Sequence, residues 1–194
     1  MYQFILASQS PRRRELLEQI GMSFTCIPSQ GEEYVTSTDP ETVVKMLSEQ
    51  KAKEIAGTVS THNTVIIGAD TIVSYGNEIL GKPKDESDAF RMLDMLQGNV
   101  HQVYTGVTLI IRGKDTEEVV TFAEKTEVSM YPMNQKQMMR YIASGEPMDK
   151  AGAYAIQGKC AAYIEKINGD YNNVVGLPVS AICRELYIRG IDFL

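Results

Sequence analysis

Three consecutive arginines, Arg12 to Arg14, follow the segment Ser-Gln-Ser-Pro at residues 8–11. An apolar run ends at Ala7, and serine followed by proline is typical of the start of a helix, with Ser10 as its N-cap. A helix N-terminus binds phosphate, because its N–H groups lack partners and the helix dipole is positive there, whereas cations there slightly destabilise the helix. Arginines at this position therefore indicate a site for an anionic ligand, and the alternative is a solvent-exposed basic face.

The sequence Gly-Ala-Asp-Thr-Ile-Val at residues 68–73 contains a second candidate, Asp70. The apolar residues 65–67 predict a buried strand, and we expect Asp70 at the end of this strand. Gly68 and Ala69 leave room for the close approach of another group. A carboxylate in such a place is poorly solvated unless it meets a metal ion or a cation. The alternatives are a structural pair with a nearby lysine, or the cap of a turn.

Two acidic residues and two lysines extend this set. Glu32 and Glu33 lie in a loop after the second predicted strand, where carboxylates suit a hard cation such as Mg²⁺. Lys82 lies in the sequence Gly-Lys-Pro-Lys, where the following proline favours an extended backbone and the ammonium suits a phosphate. Lys51 lies on a long predicted helix. The alternative for each is an ordinary solvent-exposed turn, loop or helix face.

The segment at residues 149–158 is rich in small residues and contains one amide, Gln157. A glutamine side chain offers a donor and an acceptor together, which suits the edge of a nucleobase. The alternative is a tight loop beside a strand.

The composition limits the class of protein that carries these residues. The chain has 194 residues, of which 43% are apolar, enough for one substantial core or for one domain divided into two lobes. Its formal net charge of −6 argues against wrapping duplex nucleic acid but allows a local positive pocket for a small anion. No signal peptide or membrane helix is recognisable, so no membrane partner is expected.

The cysteines and histidines exclude several kinds of site. Three widely spaced cysteines form neither a disulfide framework nor a zinc motif, and they favour a reduced, cytoplasmic protein. His62 and His101 are too few for a multi-histidine metal site.

Alternating strand and helix patterns predict α/β or α+β architecture with a mixed sheet. Predicted strands cover residues 3–7, 24–27, 64–67 and 160–167, and a hairpin covers 102–112 and 118–131. Predicted helices start after Ser10 and Asp39 and cover 85–97, 135–144 and 178–188, with Ala89, Met92, Leu93 and Leu96 facing inward in the third.

Four motifs in this order and spacing resemble the Maf family, also described as septum formation inhibitors or Maf-like nucleoside triphosphate pyrophosphatases. They are LASQSPRRREL, GADTIV followed by GKP, SGEPMDKAGAYAIQG and INGDYNNVVGLP. The resemblance runs from about Leu6 to Leu186, and its small departures are Gln9 and the pair Asn172-Asn173. It implies a single domain over residues 1–194 with a long mixed sheet, flanking helices and two lobes around a cleft, as in inosine triphosphate pyrophosphatases.

The resemblance also implies a reaction, which is hydrolysis of a nucleoside triphosphate to the monophosphate and pyrophosphate with Mg²⁺ or Mn²⁺. Asp70 would accept the proton and, with Glu33, hold the metal. Lys51 and Lys82 would act in catalysis, and substrate would be bound by Ser8, Arg12, Arg13, Thr71 and Gln157. Arginine, threonine and glutamine at positions 12, 71 and 157 match the subgroup that acts on dTTP and UTP.

Two alternatives to this function remain open at this stage. One is a nucleotide-binding regulator of septum formation without turnover, and the other is the same reaction on 7-methyl-GTP. Modified pyrimidine nucleotides are further candidate substrates. We also expect a homodimer, on the resemblance alone.

Overall fold

A computed structural model describes residues 2–193. The strands are β1 (Gln3–Leu6), β2 (Phe24–Cys26), β3 (Thr64–Tyr75), β4 (Glu78–Leu80), β5 (Val100–Arg112), β6 (Glu117–Met130) and β7 (Ile164–Asn168). The α-helices are α1 (Pro11–Gln19), α2 (Pro40–Thr58), α3 (Glu86–Leu96), α4 (Gln135–Ile142), α5 (Tyr171–Val175) and α6 (Val179–Tyr187). Within residues 2–193, no helix combines the length and hydrophobicity that a membrane span requires.

All the strands join one mixed sheet in the order β2-β1-β3-β5-β6-β7, and β4 pairs with β3. Strand β1 runs parallel to β2 and β3, whereas the pairs β3–β4 and β6–β7 are antiparallel. The predicted hairpin is formed by β5 and β6, and the Gly113 N–H donates to the Thr116 carbonyl in its turn at 2.8 Å. The mixed sheet with its helices confirms the predicted α/β class.

Strand β3 is longer than the sequence predicts. Its pairing with β1 ends at Ile67, and the Ala7 N–H then donates to the Ile67 carbonyl at 2.8 Å. The strand continues to Tyr75, and Val73 and its neighbours pair with β4. Asp70 therefore lies inside β3, beyond the end of its pairing with β1, and its predicted place at the end of a strand is wrong.

The strand predicted at residues 160–167 is also wrong in its first half. Lys159–Tyr163 forms a 3₁₀ helix instead, in which the Ala161 N–H donates to the Gly158 carbonyl at 3.0 Å. Pairing with β6 begins only at Ile164, opposite Met130. Strand β6 ends at Met130, so it does not extend alongside the first residues of the segment.

The chain forms two compact units. The first takes the chain up to Asp70, Thr105–Glu124 and the chain from Gly176 onward. Its core contains a cluster of buried side chains from β1, α2, β3 and β5, namely Ile5, Ala7, Ala52, Ile55, Ala56, Ile66 and Ile110.

Two glycines bring helix α2 directly onto the sheet in this unit. A Cβ atom at Gly68 would lie 2.3 Å from the Ser48 carbonyl oxygen, and one at Gly106 would lie 2.2 Å from the Val44 carbonyl oxygen. Neither distance is sterically possible, so only glycine permits this packing. The predicted close approach at Gly68 is confirmed, and the group that approaches is the backbone of the helix that carries Lys51.

The second unit comprises Thr71–Tyr104 and Lys125–Val175. The four predicted inward residues of α3 are all buried, which confirms its amphipathic pattern. Helix α3 contacts α4 and two further 3₁₀ turns, Glu146–Asp149 and Ala151–Ala153.

Candidate functional site

The side chain of Arg13 joins three of the sequence motifs within the first unit. Its Nε donates to the Gly176 carbonyl at 2.8 Å, and its Nη1 donates to the Ala69 carbonyl at 2.8 Å and to Ser8 Oγ at 3.1 Å. Ser8 Oγ also accepts the Ser10 N–H at 3.2 Å, whereas the Ser10 side chain makes no capping bond to α1. Arg13 thereby fixes the β1–α1 loop next to the residue that precedes Asp70.

The electrostatic environment of Arg13 combines burial with nearby acids. Burial lowers the pKa of its guanidinium, and the adjacent Arg12 lowers it further, while the negative charges of Asp70 and Glu33 oppose this shift. The third arginine, Arg14, is exposed and lies 3.7 Å from Glu18 one turn along α1. Arg13 and Arg14 therefore occupy different environments, although they are adjacent in the sequence.

Lys51, on α2, brings together the two acidic residues predicted to act with it. Its Nζ lies 2.9 Å from Glu33 Oε1 and also bonds Asp70 Oδ1. The side chains of Lys51 and Asp70 are 17% and 14% exposed, whereas that of Glu33 is 53% exposed. The lysine–aspartate pair is thus largely buried, and the carboxylate of Glu33 bonds it from the side that faces solvent. The pairing of Asp70 with a lysine was one of the sequence alternatives, and its partner is a candidate site residue itself.

Two side chains that the sequence analysis did not select hold the loop of Glu33 to α2. Glu54 accepts the N–H groups of Gln30 and Gly31 at 2.8 and 3.0 Å. Gln50 accepts the Tyr34 N–H at 2.9 Å and donates to the Tyr34 carbonyl at 2.6 Å. The signal available in the sequence was their spacing of four residues on one helix face, on either side of Lys51.

Asp70 and Glu33 have the donor atoms that a hard divalent cation prefers. Both offer carboxylate oxygens, and both lie within bonding distance of one ammonium, so they converge on a common point. Magnesium is commonly bound by one or two carboxylates together with substrate phosphates and water, rather than by a cage of protein ligands. Within residues 2–193, no group of three or more His, Cys, Asp or Glu side chains is placed to hold a metal ion. The residues therefore fit a metal that arrives with a phosphorylated substrate.

The other predicted site residues lie in the second unit. Thr71 is half-buried in β3, and the boundary between the units falls between Asp70 and Thr71. Lys82 and Gln157 are both exposed. The Gly152 N–H donates to the Gly81 carbonyl at 3.0 Å, which ties the segment of Gln157 to the loop of Lys82.

Comparison with known proteins identifies the family. The family model described as Maf-like protein matches residues 3–188. The chain belongs to the Maf family. One Maf relative is the protein of Agathobacter rectalis named dTTP/UTP pyrophosphatase, which is 53% identical over 99% of this chain and 100% of its own length. A protein of the same name from Lachnoclostridium phytofermentans is 50% identical over 100% of this chain and 98% of its own length.

A solved structure supports the fold of this Maf-family chain. The Staphylococcus aureus Ham1 protein superposes with a TM-score of 0.55 over 96% of this chain and 99% of its own. Its sequence identity of 15% limits the comparison to the fold.

Proposed function

We propose that this protein hydrolyses nucleoside triphosphates, with dTTP and UTP preferred, to the monophosphate and pyrophosphate. The observation that carries the proposal is the Lys51 ammonium that joins the carboxylates of Asp70 and Glu33 beside Arg13. Such a mixed cluster suits a phosphorylated substrate, because phosphoryl transfer depends mainly on positioning and charge stabilisation. The names of relatives at 53% and 50% identity support the same reaction.

Asp70 is the proposed general base. Its carboxylate accepts a proton from the attacking water while the bond between the α- and β-phosphates breaks and pyrophosphate leaves. The bond from Lys51 fixes the orientation of this carboxylate, which is already held by a central strand of the sheet. Lys51 and Lys82 provide positive charge for phosphate oxygens, and Arg12, Arg13, Ser8 and the N-terminus of α1 complete the proposed phosphate site.

Asp70 and Glu33 are the residues proposed to hold Mg²⁺ or Mn²⁺. Such an ion would neutralise phosphate charge and would lower the pKa of a bound water. Lys51 keeps the two carboxylates together before substrate arrives, because its ammonium bonds both.

Gln157 is proposed to select the base. Uracil and thymine present O4 as an acceptor and N3–H as a donor, which a fixed amide can match with its own N–H and C=O. Cytosine reverses this pattern, and an unpaired buried polar group costs about 1–3 kcal/mol, so we expect a preference of roughly tenfold to a hundredfold. Thr71 is proposed to contact the nucleotide next to Asp70, and Arg12 is proposed to contact base and phosphate.

Pyrophosphate release with a panel of nucleotides tests the proposal. The panel contains dTTP, UTP, dCTP, CTP, ATP, GTP, 7-methyl-GTP and pyrimidines modified at carbon 5, each with Mg²⁺ or Mn²⁺. We expect kcat/KM for dTTP and UTP to exceed those for dCTP and CTP, and Gln157→Glu to impair dTTP hydrolysis. Binding without release by any nucleotide would instead indicate a regulator of septum formation. A clear preference for 7-methyl-GTP would instead support the alternative in which the protein carries out the same reaction on 7-methyl-GTP.

A cytoplasmic location and a homodimer belong to the same proposal. All three cysteines are free thiols, which suits a reducing compartment. Sedimentation analysis of the purified protein measures its oligomeric state, and a monomer at every concentration would contradict the dimer.

A further inference from the structure

Two side chains of the second unit form hydrogen bonds with the backbone on both sides of the turn that contains Gln157. Residues 155–158 form the turn, in which the Gly158 N–H donates to the Ala155 carbonyl at 3.2 Å. The Tyr141 hydroxyl, from α4, accepts the Ala155 N–H at 3.1 Å. The Glu146 carboxylate accepts the Lys159 N–H with both oxygens, at 3.0 and 3.1 Å.

The two side chains, Tyr141 and Glu146, are also hydrogen-bonded to each other. The Tyr141 hydroxyl donates to Glu146 Oε1 at 2.8 Å, so one connected chain of hydrogen bonds holds the backbone two residues before and two residues after Gln157. Tyr141 is buried, with 4% of its surface exposed, so the bond from the Ala155 N–H to its hydroxyl competes little with water. Burial also raises the pKa of the Tyr141 hydroxyl, which keeps it a proton donor to Glu146.

Gly158, the residue after Gln157, leaves space for the carboxylate of Glu146. A Cβ atom at Gly158 would lie 2.2 Å from Glu146 Oε1, which is closer than any real contact. The carboxylate therefore packs directly on the backbone of the turn, and a larger residue at position 158 would displace it. The packing and the hydrogen bonds involve the same carboxylate, and both place Glu146 against the turn.

We propose that Glu146 and Tyr141 are positioning residues that fix the Gln157 amide for discrimination between uracil-type and cytosine bases. The proposal rests on the proposed role of Gln157. An amide on a mobile turn can flip or shift to meet either base, whereas an amide on a fixed turn leaves the wrong base with unpaired groups. Both residues act through the turn backbone.

The test compares kcat/KM for dTTP and dCTP in a set of variants. The set contains Glu146→Ala, Glu146→Gln, Tyr141→Phe, Gln157→Ala and the double variant Glu146→Ala/Gln157→Ala. Glu165→Ala is the matched control, because Glu165 is an exposed glutamate on β7 of the same unit. Thermal unfolding of each variant accompanies the kinetics.

We expect Glu146→Ala to lower the dTTP:dCTP ratio by about tenfold, since the turn loses its acceptor. Glu146→Gln should lower it by only about twofold to threefold, because the amide oxygen still accepts the Lys159 N–H. Tyr141→Phe should also lower the ratio, and Glu165→Ala should keep it. In the Gln157→Ala background, Glu146→Ala should leave the ratio unchanged, because positioning requires the positioned amide.

A wild-type ratio in a folded Glu146→Ala variant would overturn the proposal. So would a further fall of the ratio in the Gln157→Ala background, because that result would assign Glu146 a general structural role. If Glu146→Ala does not fold, Glu146→Gln and Tyr141→Phe replace it in the test. Wild-type dTTP:dCTP ratios in both folded variants would then overturn the proposal. A dTTP:dCTP ratio near one in the wild-type enzyme would instead overturn the proposed base preference. This ratio is measured before any variant is made.

Discussion

The Arg13 guanidinium donates to the carbonyl oxygen of Ala69 at 2.8 Å, directly before Asp70 in the central strand β3. The same side chain reaches the Gly176 carbonyl, 163 residues away in sequence. A basic residue that looks like a ligand for an external anion is therefore also a link between distant parts of the first unit. This double character separates Arg13 from the exposed Arg14.

Replacement of Arg13 should destabilise the protein strongly. Ala69 and Gly176 are buried, so Arg13→Ala leaves two buried carbonyl groups without this donor, and we expect a loss of at least about 2 kcal/mol in the free energy of unfolding. Urea denaturation measures it. Arg14→Ala is the control, because an exposed pair such as Arg14–Glu18 contributes little. Equal stability of the two variants would show that the Arg13 bonds are dispensable.

Asp70→Asn should keep the fold and lose turnover. The amide is isosteric with the carboxylate but cannot accept the proton of the attacking water, so we expect a fall in kcat of at least roughly a hundredfold. Pyrophosphate release measures turnover, and a thermal melt checks the fold. Asp94→Asn, on an exposed position of α3, is the matched control. Activity within a few-fold of wild type would remove Asp70 from the mechanism.

Glu54→Ala should loosen the loop that carries Glu33. The variant loses the acceptor for the Gln30 and Gly31 N–H groups, so hydrogen exchange at these two amides should accelerate. We expect kcat/KM for dTTP to fall by roughly tenfold, because small displacements of a site residue are costly. Glu49→Ala, which removes a surface pair with Lys53 on the same helix, serves as control. Faster exchange with unchanged kinetics would show that the position of Glu33 does not limit the reaction.

His101 should make the stability depend on pH. It is fully buried, its Nε2 lies 2.7 Å from the Tyr154 hydroxyl, and among residues 2–193 its Nδ1 has no hydrogen-bond partner. Burial lowers its pKa to about 4. Because the unfolded chain binds a proton near pH 6.5 and the folded chain does not, stability is lost as the pH falls from about 6.5 towards 4.

Urea unfolding at several pH values measures this effect. Between pH 7.5 and pH 5 we expect His101 to account for a loss of about 2 kcal/mol, which His101→Gln should abolish. His62→Gln replaces an exposed histidine and should keep the wild-type pH dependence. The same pH dependence in His101→Gln as in wild type would assign the effect to other groups.

Local patterns in the sequence were sufficient for most elements of the fold. The apolar spacing in α3 predicted its buried face, and the start of α2 was predicted by Asp39, whose side chain accepts the Thr42 N–H at 2.9 Å. Gly68 was predicted to permit a close approach, which helix α2 makes. The first two features depend on residues within a few positions of each other, so the sequence displays them directly, whereas at Gly68 it displays only the missing side chain and not the group that approaches.

The family was likewise evident from the sequence, because four motifs occur in order and spacing along most of the chain. Residue types and the resemblance together selected Lys51, Glu33 and Asp70, and the structure brings these three together. The substrate, the metal and the roles of the individual residues stay predictions that the experiments above test.

Only the tertiary structure decided which polar groups meet across the chain. Arg13 and Gly176, or Tyr141 and Ala155, are partners because the sheet and its helices bring their backbones together. Past Asp70, β3 lies in a sheet with β5 and β4 as neighbours, and the turn at Lys159–Tyr163 precedes the point at which pairing with β6 begins. Hydrophobic periodicity records which face of an element is buried, but a hydrogen bond between distant residues leaves no periodic trace in the sequence.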